Sequence, residues 1–334
     1  MTTIDDLIAA VIVEAPAKYR ALSVFPLRWE TKRQAAVYLV LNEALATGKF
    51  RITEVSESGA VPRLLALNLS DSHIFLLDGE ELVGAKQNRV LNLSMMLAPN
   101  SRTEIPVSCV EAGRWRRESH AFGTADRVHF ARGRAQKMEQ VSRSLHLSGE
   151  AASDQTAVWN AISAKSARMR VASPTGAMAA LFESRRDDLQ DYLDAIPTVE
   201  GQCGAVYALG GVVVAMEIFD SDTTFKKLAR KLVASYALDA MELDQTGDLP
   251  DADAARSFIH SVRVASRERS GAVGVGKTVR ISGGDLVGAA LELDGRCVHL
   301  SAFGRSAFAD QDGDNGLRDA GMRRRYTRVR GRMI

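Results

Sequence analysis

Residues 63–78 read RLLALNLSDSHIFLLD, two short apolar runs separated by a polar segment that favours a turn. Runs of this length, bounded by turn residues, are typical of β-strands. Similar runs occur at 51–55, 89–97 and 103–110. The dipeptide Asp78-Gly79 between apolar flanks predicts a hairpin turn. The first third of the chain is therefore predicted to be mostly sheet, and antiparallel.

Outside this region, apolar residues recur at the spacing of an amphipathic helix. Helices are predicted on this basis at 4–13, 31–46, 153–169, 173–196, 222–238 and 253–265. Ser173 and Pro174 stand where a helix cap and first helical residue are favourable. Further strands are predicted at 201–219, as a hairpin turning near Gly210-Gly211, and at 278–282, 286–293 and 297–303.

Runs of strands that alternate with runs of helices favour an α+β fold over a doubly wound parallel sheet. We therefore predict mostly antiparallel sheet with packed helices. The strands are concentrated at 51–110, 201–219 and 278–303.

The composition is that of an ordinary globular protein. The chain has 334 residues, 46% of them hydrophobic and 25% charged, which excludes a disordered or fibrous protein. The longest uncharged run, 201–216, is shorter than the ~20 residues that span a membrane. Asp5 and Asp6 stand where a signal peptide would be basic, which argues against export. The three cysteines are too few and too far apart in the sequence for a disulfide framework or a metal cluster. A cytoplasmic protein without a membrane partner or metal site is expected.

The formal net charge of +2 hides an uneven distribution. Lys and Arg exceed Asp and Glu by five at 113–143 and by six at 318–334. We predict a β-rich part at 1–115 that carries the main motifs, and a basic polar insertion at 116–152. A helical and hairpin part at 153–308 packs with the first as one domain, and a basic tail occupies 309–334. Nucleic-acid binding through the basic segments is one hypothesis for function, and it predicts affinity that falls steeply with salt.

The segment 271–278, GAVGVGKT, fits the formula of a phosphate-binding P-loop. A true P-loop follows a buried strand and opens a helix, so that backbone N–H groups face the phosphates. Here residues 267–270 are predicted to be a charged helix end and 279–284 a strand and turn. The context argues against a nucleotide triphosphatase, although anion binding beside Lys277 and Arg280 stays open.

The first motif with the side chains for chemistry is 80–89, EELVGAKQNR. It holds two carboxylates, a lysine, two amides and an arginine: Glu80, Glu81, Lys86, Gln87, Asn88 and Arg89. Adjacent strand residues face opposite sides, so Glu80 and Glu81 do not form one catalytic pair. A second carboxylate would come from elsewhere, such as Glu111. From spacing alone, a hairpin with a solvated polar face is the favoured alternative.

The second motif is 106–115, PVSCVEAGRW. Its Glu111, Arg114 and Trp115 would provide an anion clamp and a stacking surface. Cys109 in an apolar strand is expected to be inert core, because reactive thiolates favour electropositive and partly exposed places. His299 is similarly expected to be a packed histidine.

Together these motifs resemble the family called the ARG and Rhodanese-Phosphatase-superfamily-associated protein domain. The resemblance spans about residues 25–303, and the region around Gln202 and the stretch 274–303 fit less distinctively. The family takes its name from gene association with ADP-ribosylglycohydrolases and rhodanese-phosphatase proteins. The resemblance implies a role near ADP-ribose or NAD metabolism without implying a reaction, and it identifies no cofactor.

From the resemblance we expect a ligand that is a nucleotide or an ADP-ribose derivative. Lys86, Arg89 and Arg114 would hold phosphates, Gln87 and Asn88 would bond ribose or base edges, and Trp115 would stack. Glu80 or Glu81, with Glu111, would supply any acid–base chemistry. The remaining ligand-binding candidates are Gln202, Arg280 and His299.

The alternative hypothesis is a non-enzymatic interaction module for a modified macromolecule or for a partner enzyme of ADP-ribose metabolism. It predicts binding that survives Glu→Gln replacement at positions 80, 81 and 111 together. A homodimer is expected on the general frequency of symmetric oligomers.

Overall fold

The structure is a computed structural model that describes residues 3–31, 37–56, 62–116, 119–243 and 250–308. The helices in these ranges are α1 (Ile4–Ala9), α2 (Leu41–Ala46), α3 (Ala131–Ser148), α4 (Gln155–Met169), α5 (Ala179–Ser184), α6 (Arg186–Ala195), α7 (Asp222–Ala240) and α8 (Ala252–Val264). The strands of the first half are β1 (Val11–Val13), β2 (Ala17–Tyr19), β3 (Leu22–Trp29), β4 (Tyr38–Val40), β5 (Phe50–Glu54), β6 (Arg63–Asn68), β7 (His73–Leu76), β8 (Glu80–Gly84), β9 (Arg89–Leu91), β10 (Met95–Leu97), β11 (Ser101–Cys109) and β12 (Phe122–Val128). The strands of the second half are β13 (Gln202–Leu209), β14 (Val212–Phe219), β15 (Ser266–Gly271), β16 (Lys277–Gly283), β17 (Leu286–Leu293) and β18 (Arg296–Gly304).

A large antiparallel sheet joins the start of the chain to its second half. Its strands follow the order β1-β3-β13-β14-β18-β17-β16-β15, and β2 also pairs with β3. The central hairpin turns at Gly210 and Gly211, whose φ values of 55° and 91° favour glycine. One face of the sheet packs against α7, while α1 and α8 cover the other. Helix α7 is capped at its N-terminus, because the Ser221 hydroxyl accepts hydrogen bonds from the backbone N–H groups of Thr223 and Thr224.

A closed barrel forms the second body, with strand order β11-β6-β5-β12-β8-β9. Alternate residues of each strand point inward and fill it with apolar side chains, including Phe50, Ile52, Leu82, Leu91 and Val107. A small sheet of order β10-β7-β4 lies beside it, and its β4–β7 pair is parallel.

One end of the barrel is formed by the ends of all six strands. There the C-terminal ends of β5, β8 and β11 meet the N-terminal ends of β6, β9 and β12, as the antiparallel registers require. We call this end the barrel mouth. It carries Glu54, Arg89 and Cys109, because each lies two residues from an inward-facing apolar side chain of its own strand.

Helix α3 lies between the barrel and the large sheet. It needs a glycine at position 133, since a Cβ there would come within 1.7 Å of the buried His129 ring. Its Arg134 and Lys137 are fully or almost fully buried. The helix ends at Gly149, whose N–H donates to the carbonyl of Leu145.

The prediction of an α+β fold with mostly antiparallel sheet is confirmed. The helices predicted at 4–13 and 31–46 are only partly correct. Residues 11–13 are strand β1 rather than helix, because three β-branched residues pair with β3. Residues 38–40 are strand β4, and only 41–46 form a helix. Residues 32–36 of that predicted helix lie outside the described part.

Three further predictions need correction. The Asp78-Gly79 turn does not join a hairpin, because β7 and β8 belong to different sheets. The helix predicted at 173–196 is divided into α5 and α6, and Ser173-Pro174 lie in a turn whose Ser173 hydroxyl accepts from Ala177 N–H. Residues 267–270 belong to β15, a charged edge strand rather than a helix end.

The segment 116–152, predicted as a polar insertion, contains β12 and α3. Its basic side chains Arg132, Arg134 and Lys137 are buried. The sequence showed no clear period there because the inward face of α3 is itself charged. The predicted basic tail at 309–334 lies outside the described residues, and the domain division stays a prediction.

Candidate functional site

The first motif is divided between two faces of the sheet by strand alternation. Arg89 lies opposite Leu82 on one neighbouring strand and opposite Cys109 on the other. Gln87 and Arg89 therefore belong to the barrel mouth, while Asn88 points to the other face. The candidate residues form two neighbouring sites rather than one.

At the barrel mouth, Arg89 is fully buried. Its Nη1 donates to Oε1 of Gln87 at 2.9 Å, and Sγ of Cys109 donates to the same oxygen at 3.1 Å. Its Nε and Nη2 have no hydrogen-bond partner among the described residues. Burial lowers the pKa of Arg89, opposed by the nearby Cys109 and Glu54. A guanidinium with two buried, unused N–H groups is a strong donor for an anion.

Glu54 also lies at the barrel mouth. Both of its carboxylate oxygens are buried and accept no hydrogen bond within the described ranges. Buried polar atoms of native proteins are almost always hydrogen-bonded. The mouth thus combines unused donors on Arg89 with unused acceptors on Glu54, a set that suits a ligand with both phosphate and hydroxyl groups.

The Trp115 side chain lies beside Arg89 at the barrel mouth. Its side chain is 51% exposed. The ring centroid lies 5.2 Å from Nζ of Lys86 and 5.8 Å from Cζ of Arg89, within the range of cation–π attraction. The indole therefore contacts two cations and keeps a large exposed surface on which a base can stack.

On the other face of the sheet, Glu81 is completely buried. Its Oε2 lies 2.7 Å from Nε of Arg127, and its Oε1 accepts a hydrogen bond of 3.2 Å from Nδ2 of Asn88. Burial raises the pKa of Glu81 to about 7, although Arg127 and Asn88 act in the opposite direction. Glu81 is thus able to hold or release a proton near neutral pH.

Glu111 has the opposite character. Its Oε2 accepts from Nε of Arg114 at 2.8 Å and from N–H of Asn88 at 3.2 Å, and its Oε1 accepts from Oγ1 of Thr175 at 2.9 Å. Burial alone would raise the pKa of Glu111, but these donors hold it below its ordinary value.

Asn88 joins the two carboxyl groups, since its side chain contacts Glu81 and its backbone contacts Glu111. One group titrates near neutrality while the other stays ionised. Two neighbouring carboxyl groups with separated pKa values are the arrangement that acid–base catalysis uses.

Glu80 and Arg114 are held by other parts of the protein. The Glu80 carboxylate accepts from Nζ of Lys231 at 2.9 Å and from N–H of Leu77 at 2.8 Å, away from Glu81. Besides Glu111, the Arg114 guanidinium donates to Asn88 Oδ1 at 3.0 Å and to the Ala85 carbonyl at 3.1 Å. Arg114 thus stabilises the turn between β8 and β9, whereas Glu80 joins the start of β8 to α7.

Two further candidates, Arg280 and His299, lie by a separate group of charges. We call it the central charged cluster, and it consists of Asp78, Arg134, Lys137, Glu217 and His299. Arg134 contacts Glu217 at 2.5 Å and Asp78 at 3.4 Å, Lys137 binds Asp78, and Nε2 of His299 lies 2.8 Å from Glu217. His299 is therefore a packed, paired histidine.

Arg280 donates to the carbonyl of Met138 at 2.9 Å and to the hydroxyl of Ser142, both on α3. Burial lowers its pKa to about 10, with Asp78 opposing the shift. The structure thus places Arg280 at the packing of α3 on the large sheet, away from the barrel mouth.

Gln202 lies apart from both sites. Its amide bonds locally, accepting from N–H of Val199 and donating to the carbonyl of Gly204. It lines a cavity of about 480 Å³ near the start of α7. The stretch 271–278 is the connection between β15 and β16, with no helix after it, so the P-loop geometry is absent from this described segment.

Several residues that complete these sites were missed from the sequence. Glu54, Arg127 and Thr175 give no signal in the sequence, because their partners come from distant segments. Glu217 did give one, as a single carboxylate in the apolar strand β14. A charge in such a strand is expected only with a buried partner.

Within the described ranges, no group of three or more His, Cys, Asp or Glu side chains is arranged to hold a metal ion. None of the helices described is long and apolar enough to cross a membrane.

Comparison with known proteins identifies one protein family. No curated protein and no solved structure matches the chain. The model of one protein family, however, matches residues 10–303, which include both motifs and nearly all of the two β bodies. The chain therefore belongs to the family of the ARG and Rhodanese-Phosphatase-superfamily-associated Protein domain.

Proposed function

We propose that this protein binds ADP-ribose, NAD or a related nucleotide at the barrel mouth. The observation that carries the proposal is the buried Arg89 guanidinium, whose Nε and Nη2 bond nothing among the described residues, directly beneath Trp115. The family's name, which associates it with the ARG and rhodanese-phosphatase superfamily, supports a ligand of this class.

The phosphates bind between Arg89 and Lys86. Cζ of Arg89 and Nζ of Lys86 lie 5.8 Å and 5.2 Å from the centroid of the Trp115 ring. A diphosphate offers several acceptor oxygens to the free N–H groups of Arg89, and charge-assisted bonds of this type are strong. The Glu54 carboxylate, at the same mouth, accepts from a ribose hydroxyl.

Trp115 must move for the ligand to enter, because Arg89 has no exposed surface. The indole is half exposed and sits over the cations, so it can swing outward without breaking apolar packing in the barrel. A base stacks on the displaced ring, which links phosphate binding to base recognition.

Processing of the ligand, where it occurs, uses the other face of the same turn. Glu81 is the proton donor and Glu111 the ionised carboxylate, held apart in pKa by burial and by the donors around Glu111. Asn88 joins these groups to the hairpin that carries Arg89.

We expect titration calorimetry to show binding of ADP-ribose or NAD to the wild-type chain, and Trp115→Ala to weaken it by about tenfold. This loss corresponds to the 1–3 kcal/mol of a base stacked on an aromatic side chain. Arg89→Lys keeps the charge but removes the guanidinium fork, and should weaken binding by at least as much. Trp115 is one of three tryptophans, and its displacement should change the fluorescence on binding.

Leu147→Ala is the matched control, since Leu147 is an exposed apolar side chain on α3, 76% exposed. It should bind like the wild type. Absence of heat with both ligands on folded wild-type protein would exclude this ligand class. It would favour the alternative of an interaction module that recognises a modified macromolecule or a partner enzyme.

A further inference from the structure

We propose that a second site, separate from the barrel mouth, binds a small molecule with two phosphate groups. It is an open cavity of about 690 Å³ on which four arginines converge: Arg20, Arg168, Arg170 and Arg185. We call it the arginine groove. Its volume is in the range of small-ligand sites. The inference does not depend on the proposed function.

The four arginines come from distant parts of the chain. Arg20 follows β2, Arg168 and Arg170 end α4, and Arg185 lies between α5 and α6. Two of them are held in left-handed backbone, Arg20 at φ 49° and Arg170 at φ 56°. Arg170 is the left-handed C-cap of α4, and Arg20 begins the two-residue turn of the β2–β3 hairpin. The ends of these separate elements thus bring four like charges together despite their mutual repulsion.

The carboxylates among the described lining residues pair with the arginines but are fewer than the arginines. Glu242 lies 3.1 Å from Arg168, but it also lies 2.7 Å from the buried Lys165, whose charge it balances. Asp188 forms two longer ion pairs, 3.6 Å from Arg20 and 3.9 Å from Arg185, so its single charge is shared between two arginines. Among the lining residues that the structure describes, there are four arginines and two carboxylates, a formal excess of two positive charges.

This excess of positive charge favours a compact polyanion. The other lining residues are Met169 and Met241, so the groove offers no aromatic ring for base stacking within its described lining. Guanidinium groups match the geometry of phosphate oxygens, and several of them around one cavity suit a diphosphate rather than a single phosphate. The ligand class is therefore a small diphosphate, without a required base.

The probe is inorganic pyrophosphate, titrated into the full chain in a phosphate-free buffer and followed by calorimetry. The double variant Arg20→Ala with Arg170→Ala should weaken binding at least tenfold, since a hydrogen bond to a charged group contributes about one power of ten. Both side chains are exposed, so the variant should fold. Wild-type binding should weaken with added salt.

Arg256→Ala is the control, because Arg256 is also exposed but lies on α8, paired with Asp253. It should bind pyrophosphate like the wild type. The double variant changes only groove residues and leaves the barrel mouth intact, so a loss in it separates this site from the barrel mouth. No binding of pyrophosphate, or equal binding by the double variant, would overturn the inference. Binding of a short RNA but not of pyrophosphate, lost in the double variant, would also overturn it and make the groove a nucleic-acid surface.

Discussion

Replacing Arg134 by methionine is expected to lower the free energy of unfolding by about 3–5 kcal/mol. Arg134 is completely buried, 2.5 Å from Glu217 and 3.4 Å from Asp78. Burial disfavours its charge, but Glu217 and Asp78 outweigh this effect and raise its pKa. Methionine would fill similar space and leave the buried Glu217 carboxylate with His299 alone. Urea denaturation at neutral pH measures the loss.

A matched control is Arg63→Met. Arg63 forms two ion pairs, with Glu104 at 3.3 Å and Glu150 at 2.7 Å, but these side chains are about half exposed. Exposed ion pairs contribute about 1 kcal/mol or less. If Arg134→Met were no more destabilising than Arg63→Met, the central charged cluster would not be the electrostatic link between α3 and the large sheet.

The second large effect is a dependence of stability on pH that Glu81→Gln removes. The pKa of Glu81 is raised from 4.5 to about 7 in the folded chain, because the side chain is buried. Between these values the folded state holds a proton that the unfolded state has released. The wild type should therefore lose stability relative to Glu81→Gln as pH rises from about 4.5 to 7, by about 3 kcal/mol in total. Urea denaturation of both proteins across this range gives the difference.

Glu111→Gln should show the opposite sign. The pKa of Glu111 is held below its ordinary value, so the carboxylate adds stability above that value and loses it as pH falls. The wild type should therefore gain stability relative to Glu111→Gln as pH rises through the acid range. Equal slopes for the two variants would mean that the two carboxyl groups are not separated in pKa.

Much of the candidate site was predictable because both motifs are short and local. Alternation in a strand was enough to separate Glu80 from Glu81, and the structure gives them different partners, Lys231 and Arg127. Alternation also applies to Gln87, Asn88 and Arg89, and it divides them between two faces. The expectation of one common phosphate site took no account of this division.

The partners of those residues were not predictable. Arg127 reaches Glu81 from β12, and Thr175 reaches Glu111 from a turn 64 residues later in the chain. Such contacts depend on how the barrel closes and where α5 packs. The arginine groove was even less predictable from the sequence, since its four arginines span residues 20–185 and share no motif.

The sequence by itself determined the α+β class and most strands, because alternation, helical period and turn residues act over a few neighbouring residues. It also determined the two motifs and, through them, the family. Only the tertiary structure decided the charge environment. Basic residues of α3, which belong to the predicted basic polar insertion, are buried against Asp78 and Glu217. Burial and the pKa of a side chain depend on which distant segments surround it, and no local pattern encodes that.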